Sequence, residues 1–199
     1  QALPNWQYSK QAAEKWGDAV VVKANAPELL EKALAKANRS QLRIFMSSVT
    51  DPYQPLEKRI RMTRRLLQVF ARYDDLDLLV IQTRGGLVVD DIPLLQQLPY
   101  VVVSMSIETD RPGLAYGPTA AQLRSRFDAI TEAAAAGIAA QITVSPCLPY
   151  TPGFAQRLLD TGAERIVIDT FVDGDGSKGQ RTANTAFADI ADYDWQNTD

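Results

Sequence analysis

The strongest constraint on this chain is an alternation repeated along most of its length. A short run rich in Val, Ile and Leu gives way to a polar loop, then to a longer stretch with helical periodicity. The longer apolar runs are residues 42–46, 76–82, 101–107, 139–144 and 165–171. Near-continuous apolar runs of this length predict strands buried on both faces, as in a parallel sheet. Between them, helical patterns span 55–73, 92–98, 120–136 and 154–161. On the first, Ile60, Thr63, Leu67 and Phe70 share one face. Gly137 and Gly162 stand where left-handed C-terminal caps belong.

Ahead of this series, Val20-Val21-Val22-Lys23 precedes a helix signal over 27–34. There Asn25 or Ala26 is placed to cap, and Pro27 sits in the first turn, where its missing N–H costs nothing. The tail from Gly174 onward is rich in Gly, Asp, Thr and Asn, with one helix expected over 185–191. The expected organisation is an α/β domain over 1–172 and a loop and helix extension of it over 173–199.

Strand–helix alternation allows a doubly wound sheet or a (β/α) barrel, complete or partial, and both carry function at the carboxyl ends of the strands. Those ends are 47–54, 83–86, 104–110, 145–149 and 169–175. In the first, Ser47, Ser48, Thr50 and Asp51 precede a proline-stiffened run that suits an ammonium or a ribose, and equally an ordinary cap. In the second, Arg84 before Gly85-Gly86 can present a guanidinium to a carboxylate or phosphate, or pair with a loop carboxylate. In the third, Ser104, Ser106 and Glu108 fall on one strand face by alternation. Inward-facing polar groups cost free energy unless bonded, so these three are the best positional site signal. Ser145-Pro146-Cys147 ends the fourth strand, and its isolated thiol reads as a small buried hydrophobe.

Composition removes much chemistry. The 199 residues include one Cys and no His. A Ser-His-Asp triad, an imidazole acid–base, an internal disulfide and a Cys₄ metal site are therefore excluded within this chain. The net charge of −3 gives no global pull toward nucleic acid or anionic lipid. The basic run Lys58, Arg59, Arg61, Arg64, Arg65 and Arg72 is either a local phosphate-facing surface or a solvated outer helix. No apolar run is long enough to cross a bilayer, and the lack of a disulfide framework fits a cytoplasmic protein. Gly174-Asp175-Gly176-Ser177-Lys178-Gly179 imitates a dinucleotide loop but ends the fold rather than opening it. As a P-loop it fails at Gln180, and as a calcium loop at Lys178 and Asn184.

Taken together, the strand-end segments resemble one family. Val21-Val22-Lys23-Ala24-Asn25-Ala26-Pro27-Glu28-Leu29-Leu30 resembles a VVKxNAPELL stretch, and Thr50-Asp51-Pro52-Tyr53-Gln54-Pro55-Leu56-Glu57 a TDPYQPxE signature. Both belong to radical S-adenosylmethionine proteins related to spore photoproduct lyase, a group often labelled DNA repair photolyase. Gln82-Thr83-Arg84 with Asp91-Ile92-Pro93, then Val103 to Asp110, Ala136-Gly137-Ile138 and Val144-Ser145-Pro146 resemble its later motifs in order.

The resemblance implies a partial (β/α) barrel and a lyase-type radical chemistry. A 4Fe–4S cluster cleaves S-adenosylmethionine to a 5′-deoxyadenosyl radical, with an electron donor such as flavodoxin or ferredoxin. It implies Ser47, Ser48, Thr50 and Asp51 near the methionyl amine and Arg84 near the carboxylate. It implies Ser104, Ser106 and Glu108 near the ribose, and Ser145 and Pro146 near the adenine. No catalytic residue is assigned. Nucleic acid is the substrate class that the group's label suggests.

The family's CxxxCxxC cluster loop is absent. By register its third cysteine falls just before Gln1, so the expectation is a chain that starts after that loop, lacks the first barrel strand, and is inactive alone. The rival readings are a cluster-free binding module on the same barrel, and a phosphate-binding α/β enzyme using Arg84 and the 174–179 loop.

Overall fold

The computed structural model describes residues 22–47, 50–114, 117–174, 176–184 and 194–195. Its centre is a five-stranded, all-parallel sheet in the order β1-β2-β3-β4-β5. The strands are β1 (Arg43–Met46), β2 (Leu78–Thr83), β3 (Val101–Ser106), β4 (Ala139–Val144) and β5 (Arg165–Ile168). All lie within the runs predicted from sequence except for Thr83, one residue beyond its run. The order has no reversal, whereas a doubly wound sheet must reverse at its switch point. Right-handed crossovers between successive neighbours place the connecting helices on one side of such a sheet.

The helices are α1 (Ala26–Leu34), α2 (Glu57–Ile60), α3 (Met62–Phe70), α4 (Ile92–Leu95), α5 (Ala120–Ala135), α6 (Phe154–Leu159) and α7 (Phe171–Gly174). α1 packs on α3, and α5 packs on β3, β4 and the 3₁₀ turn Gly86–Asp91. The side chains of Leu79, Ile81, Val103, Met105 and Ile142 are fully enclosed beneath this layer. They are register partners or lie at matching parity, so they form one continuous apolar face. The opposite face is polar at its middle. Ser104 and Thr143 share a hydroxyl–hydroxyl bond of 2.8 Å, and Gln141 donates to Ser104 at 3.1 Å.

The long helix expected over 55–73 is broken. Arg61 adopts a left-handed conformation (φ 49°, ψ 39°) between α2 and α3. Glu57 stabilises the restart by accepting from the Thr63 N–H at 2.9 Å, which serves an N-terminal donor of α3. The Asn25 cap is only half realised: it precedes α1, with Pro27 in the first turn, but makes no side-chain capping bond. α5 carries a full capping box instead, Thr119 accepting from the Gln122 N–H and Gln122 accepting from the Thr119 N–H. Gly137 and Gly162 are left-handed, as expected. Val22 and Lys23 are not in a strand. Residues 20–21, the expected 185–191 helix and Asp175 of the glycine-rich loop lie outside the described residues.

At the far end of α3, buried Tyr100 donates its hydroxyl to the carbonyls of Phe70 and Tyr73, each at 2.8 Å. The Phe70 carbonyl also accepts the Tyr73 N–H at 2.9 Å, so the hydroxyl is a second donor at the C-terminal end of α3. Burial, with Asp74 and Asp75 nearby, pushes this hydroxyl up from its ordinary 10.0 to about 12. A raised folded value favours the neutral form. Its contribution to stability is therefore complete below pH 10 and is lost as pH rises through about 12. Tyrosinate absorbance followed in an alkaline titration should show a tyrosine titrating at about 12 that Tyr100→Phe removes, with Tyr53 remaining as a still later one.

Candidate active site

The carboxyl ends of the strands converge on two connected clusters. The first ties the β1 loop to the β2 loop. Asp51 accepts from the Thr83 hydroxyl at 2.6 Å, the Arg84 N–H at 2.7 Å and the Tyr53 N–H at 2.8 Å. Its carboxylate is thus committed to three donors of the protein itself, but not as a helix cap: it turns the loop onto Tyr53 and ties it to the β2 end, while α2 starts with no side-chain cap. Tyr53 is buried and donates its hydroxyl to Asp91 at 3.1 Å. Burial chiefly, then Asp91, pushes that hydroxyl far up. Asp91 also holds Arg64 at 2.6 Å, so this part of the basic run is internally neutralised. Arg72 is likewise paired with Glu31.

The second cluster centres on Glu108, two residues beyond β3. Its side chain is 7% exposed and each oxygen takes one guanidinium. Oε1 accepts from Arg84 Nε, and Oε2 from Arg126 Nη1 at 2.7 Å. Arg126 Nη1 also donates to the Ser106 carbonyl at 3.3 Å. The two cations differ in setting: the Arg84 side chain is 54% exposed, whereas that of Arg126 is 8% exposed. The Nε of Arg126 is buried without a hydrogen-bond partner. Glu108 and Arg126 balance each other in the buried part, and the surplus positive charge sits on the half-exposed Arg84 at the cleft, where it favours an anionic group.

Arg84, Glu108 and Arg126 line a cleft of about 390 Å³ with Gly117, Pro118, Gln122, Pro146 and Leu148. That volume lies in the range of small-molecule sites. The β4 loop closes one side and is sewn in place. Leu148 N–H donates to the Glu108 carbonyl at 2.9 Å, and Cys147 N–H to the Asp169 carbonyl at 3.1 Å. Ser145 donates its hydroxyl to Asp169 at 3.2 Å, and the Ser145–Pro146 peptide is cis. Burial pushes the Cys147 thiol up, which keeps it protonated and a poor nucleophile.

The structure therefore brings together Arg84, Glu108 and Pro146 at the cleft. It puts Ser104 in the buried hydroxyl network and Ser106 beside Arg126 through its carbonyl. Ser145 pairs with Asp169, and Asp51 holds the loops. The Thr50 hydroxyl accepts from Gln54 within its own loop, and Ser47 is strained at φ 123°. Ser48 lies outside the described residues. Sequence reasoning missed Arg126. Its signal was available: it sits on the buried stripe of α5 with Leu123, Phe127 and Ile130, where an arginine needs a partner.

No family model matches this chain. Relatives do match. An uncharacterized protein of Methanocaldococcus jannaschii is 31% identical over 137 residues, 68% of this chain and 50% of that protein. Uncharacterized proteins of Mycobacterium bovis and Mycobacterium tuberculosis are each 31% identical over 147 residues, 70% of this chain and 42% of theirs. The chain thus spans about half the length of these relatives. Among the described residues, no helix is long and apolar enough to cross a membrane, and no group of three or more His, Cys, Asp or Glu could hold a metal.

Proposed function

We propose that this chain is the nucleoside-binding part of a radical S-adenosylmethionine protein of the spore photoproduct lyase-like group, built on a partial (β/α) barrel. One observation carries the reading. Three of the strand-end motifs that resemble that group, through Arg84, Glu108 and Pro146, line a cleft holding a half-exposed guanidinium beside a buried carboxylate, while the 50–57 motif supports it from behind by way of Asp51 and the Arg84 N–H. A cation for a carboxylate and a carboxylate for hydroxyls are what an amino-acid-bearing nucleoside needs. Arg84, Glu108 and Pro146 would hold it, with Ser145 behind them. The one-way strand order supports the same reading.

The cluster does not fit the residues present. A 4Fe–4S cluster of this group needs three thiolates, and the chain has only Cys147. These residues therefore perform no step on a cluster. What they do is bind, orient and shield. Arg84 and Glu108 fix the two ends of a polar ligand, and Leu148 and Pro146 wall off part of the cleft.

The test is anaerobic reconstitution of the full-length protein with iron and sulfide, beside residues 1–199 alone. The full-length protein is expected to gain the broad visible absorbance of a cluster and to cleave S-adenosylmethionine. The 199-residue chain is expected to do neither. A full-length protein that binds S-adenosylmethionine without taking up iron would be a cluster-free binding module instead. Preference for a plain nucleotide phosphate would overturn the reading.

A further inference from the structure

Glu108 is held from two sides by cations in unequal surroundings. Arg126 reaches it from the buried stripe of α5, beside Leu123 and Phe127, and divides Nη1 between Glu108 Oε2 and the Ser106 carbonyl. Arg84 reaches Oε1 through a single nitrogen, from a side chain that is mostly solvent-exposed. Only its backbone is pinned, by Asp51. The pair is half-buried, with only its cation in water: when it breaks, Arg84 turns to solvent and Glu108 keeps Arg126, so neither charge is stranded and the pair can be given up at little cost. A buried pair cannot, because breaking it strands a charge.

We infer that Arg126–Glu108 is a fixed pair and Arg84–Glu108 an exchangeable one, so that ligand entry transfers Arg84 to the ligand's anionic group and frees Glu108 Oε1 for its hydroxyls. Arg126 is then a positioning residue. Although it borders the cleft, its Nη1 is already spent on Glu108 and the Ser106 carbonyl, and it acts by holding Glu108 in place through Oε2. The ligand class is a nucleoside bearing a carboxylate. This assignment rests on the proposed nucleoside-binding role of the cleft, and extends it to Arg126 and to a swap of partners at Glu108.

The ligand arm uses full-length protein, calorimetry and two probes. S-adenosylmethionine carries the anionic end, and 5′-methylthioadenosine lacks it but keeps the ribose. Arg84→Met should weaken S-adenosylmethionine about tenfold and leave 5′-methylthioadenosine within about twofold. Glu108→Gln and Arg126→Met should each weaken both probes about tenfold, with Arg126→Lys recovering part of the loss. Arg126→Met losing affinity for S-adenosylmethionine alone would mean that Arg126 meets the anionic group itself, and would overturn the assignment.

The second arm needs no ligand. Arg126→Met should lower Tm by about 5 °C or more and Arg84→Met by less than about 2 °C. Equal losses overturn the division into fixed and exchangeable pairs. If wild-type protein binds neither probe, the nucleoside reading of the cleft fails, and the thermal arm still decides the division. If Arg126→Met does not fold, Arg126→Lys against Arg84→Lys gives the same comparison.

Discussion

Glu108→Leu is expected to cost about 3–5 kcal/mol of folding stability, the usual result of removing one partner from a buried ion pair. The reasoning turns on Arg126 rather than on Glu108. The Arg126 guanidinium is buried on α5, and its Nε already lacks a partner. Without Glu108 the acceptor that remains is the Ser106 carbonyl, at 3.3 Å. An uncompensated guanidinium would then sit against the apolar stripe of α5. Arg84 loses the same partner but simply turns to water, so it adds little. The double substitution Glu108→Leu with Arg126→Met should recover most of the loss, because it removes both charges together. Urea denaturation of wild type, the two single variants and the double variant checks this. A midpoint for the double variant no higher than that of Glu108→Leu would show that burial of Arg126 is not the source of the cost. An unchanged slope in all four would confirm that the folded states remain comparable.

The triad also shows what the sequence made legible and what it did not. The central strands read clearly because buried parallel strands must be apolar almost throughout, as Val101-Val102-Val103 is, whereas the expected burial on both faces fails at the edge strands β1 and β5, which leave Phe45, Val167 and Ile168 exposed. Glu108 stood out because alternation from Ser104 through Ser106 carried a carboxylate onto a face where charge is costly. Arg126 did not, because arginine inside a helix ordinarily marks the solvent side. Only its phase relative to Leu123 and Phe127 betrays burial. The break at Arg61 had no glycine to announce it, and periodicity continues across it. It holds because Glu57 supplies an acceptor for the restarted helix, a contact six residues apart that no local pattern encodes. Asp51 was visible as a capping type of residue. That its partners would be Thr83 and Arg84, at the end of the next strand, depended on the sheet order. The same order explains why Asp169, though inside the last strand end, was not read as the partner of Ser145. It meets Ser145 only because β4 and β5 are neighbours.

Gly85→Ala should be among the most damaging small substitutions in the chain, at about 1–3 kcal/mol, with Gly85→Val worse. The glycine is not there for backbone freedom. Its φ of −93° and ψ of 121° suit any residue. It is there for space. A Cβ at this position would fall inside contact distance of the Tyr53 carbonyl oxygen, 2.8 Å from the Tyr53 Cβ and 3.1 Å from its carbonyl carbon. These are mostly backbone atoms of a loop that cannot retreat freely. Tyr53 is held by Asp91 through its hydroxyl and by Asp51 through its N–H, and Asp51 in turn holds Arg84. Relief must therefore come from moving the 83–86 segment outward, which carries Arg84 away from Glu108. Gly85→Ala should lose ligand affinity as well as stability, whereas a stability-only defect would show that the β2 loop moves independently of the Arg84 guanidinium. Gly153→Ala is the matched control. Its nearest neighbour would be the Thr151 hydroxyl at 3.9 Å, so it should change stability by less than about 1 kcal/mol. Similar losses at the two positions would mean that chain flexibility, not the contact with Tyr53, sets the cost.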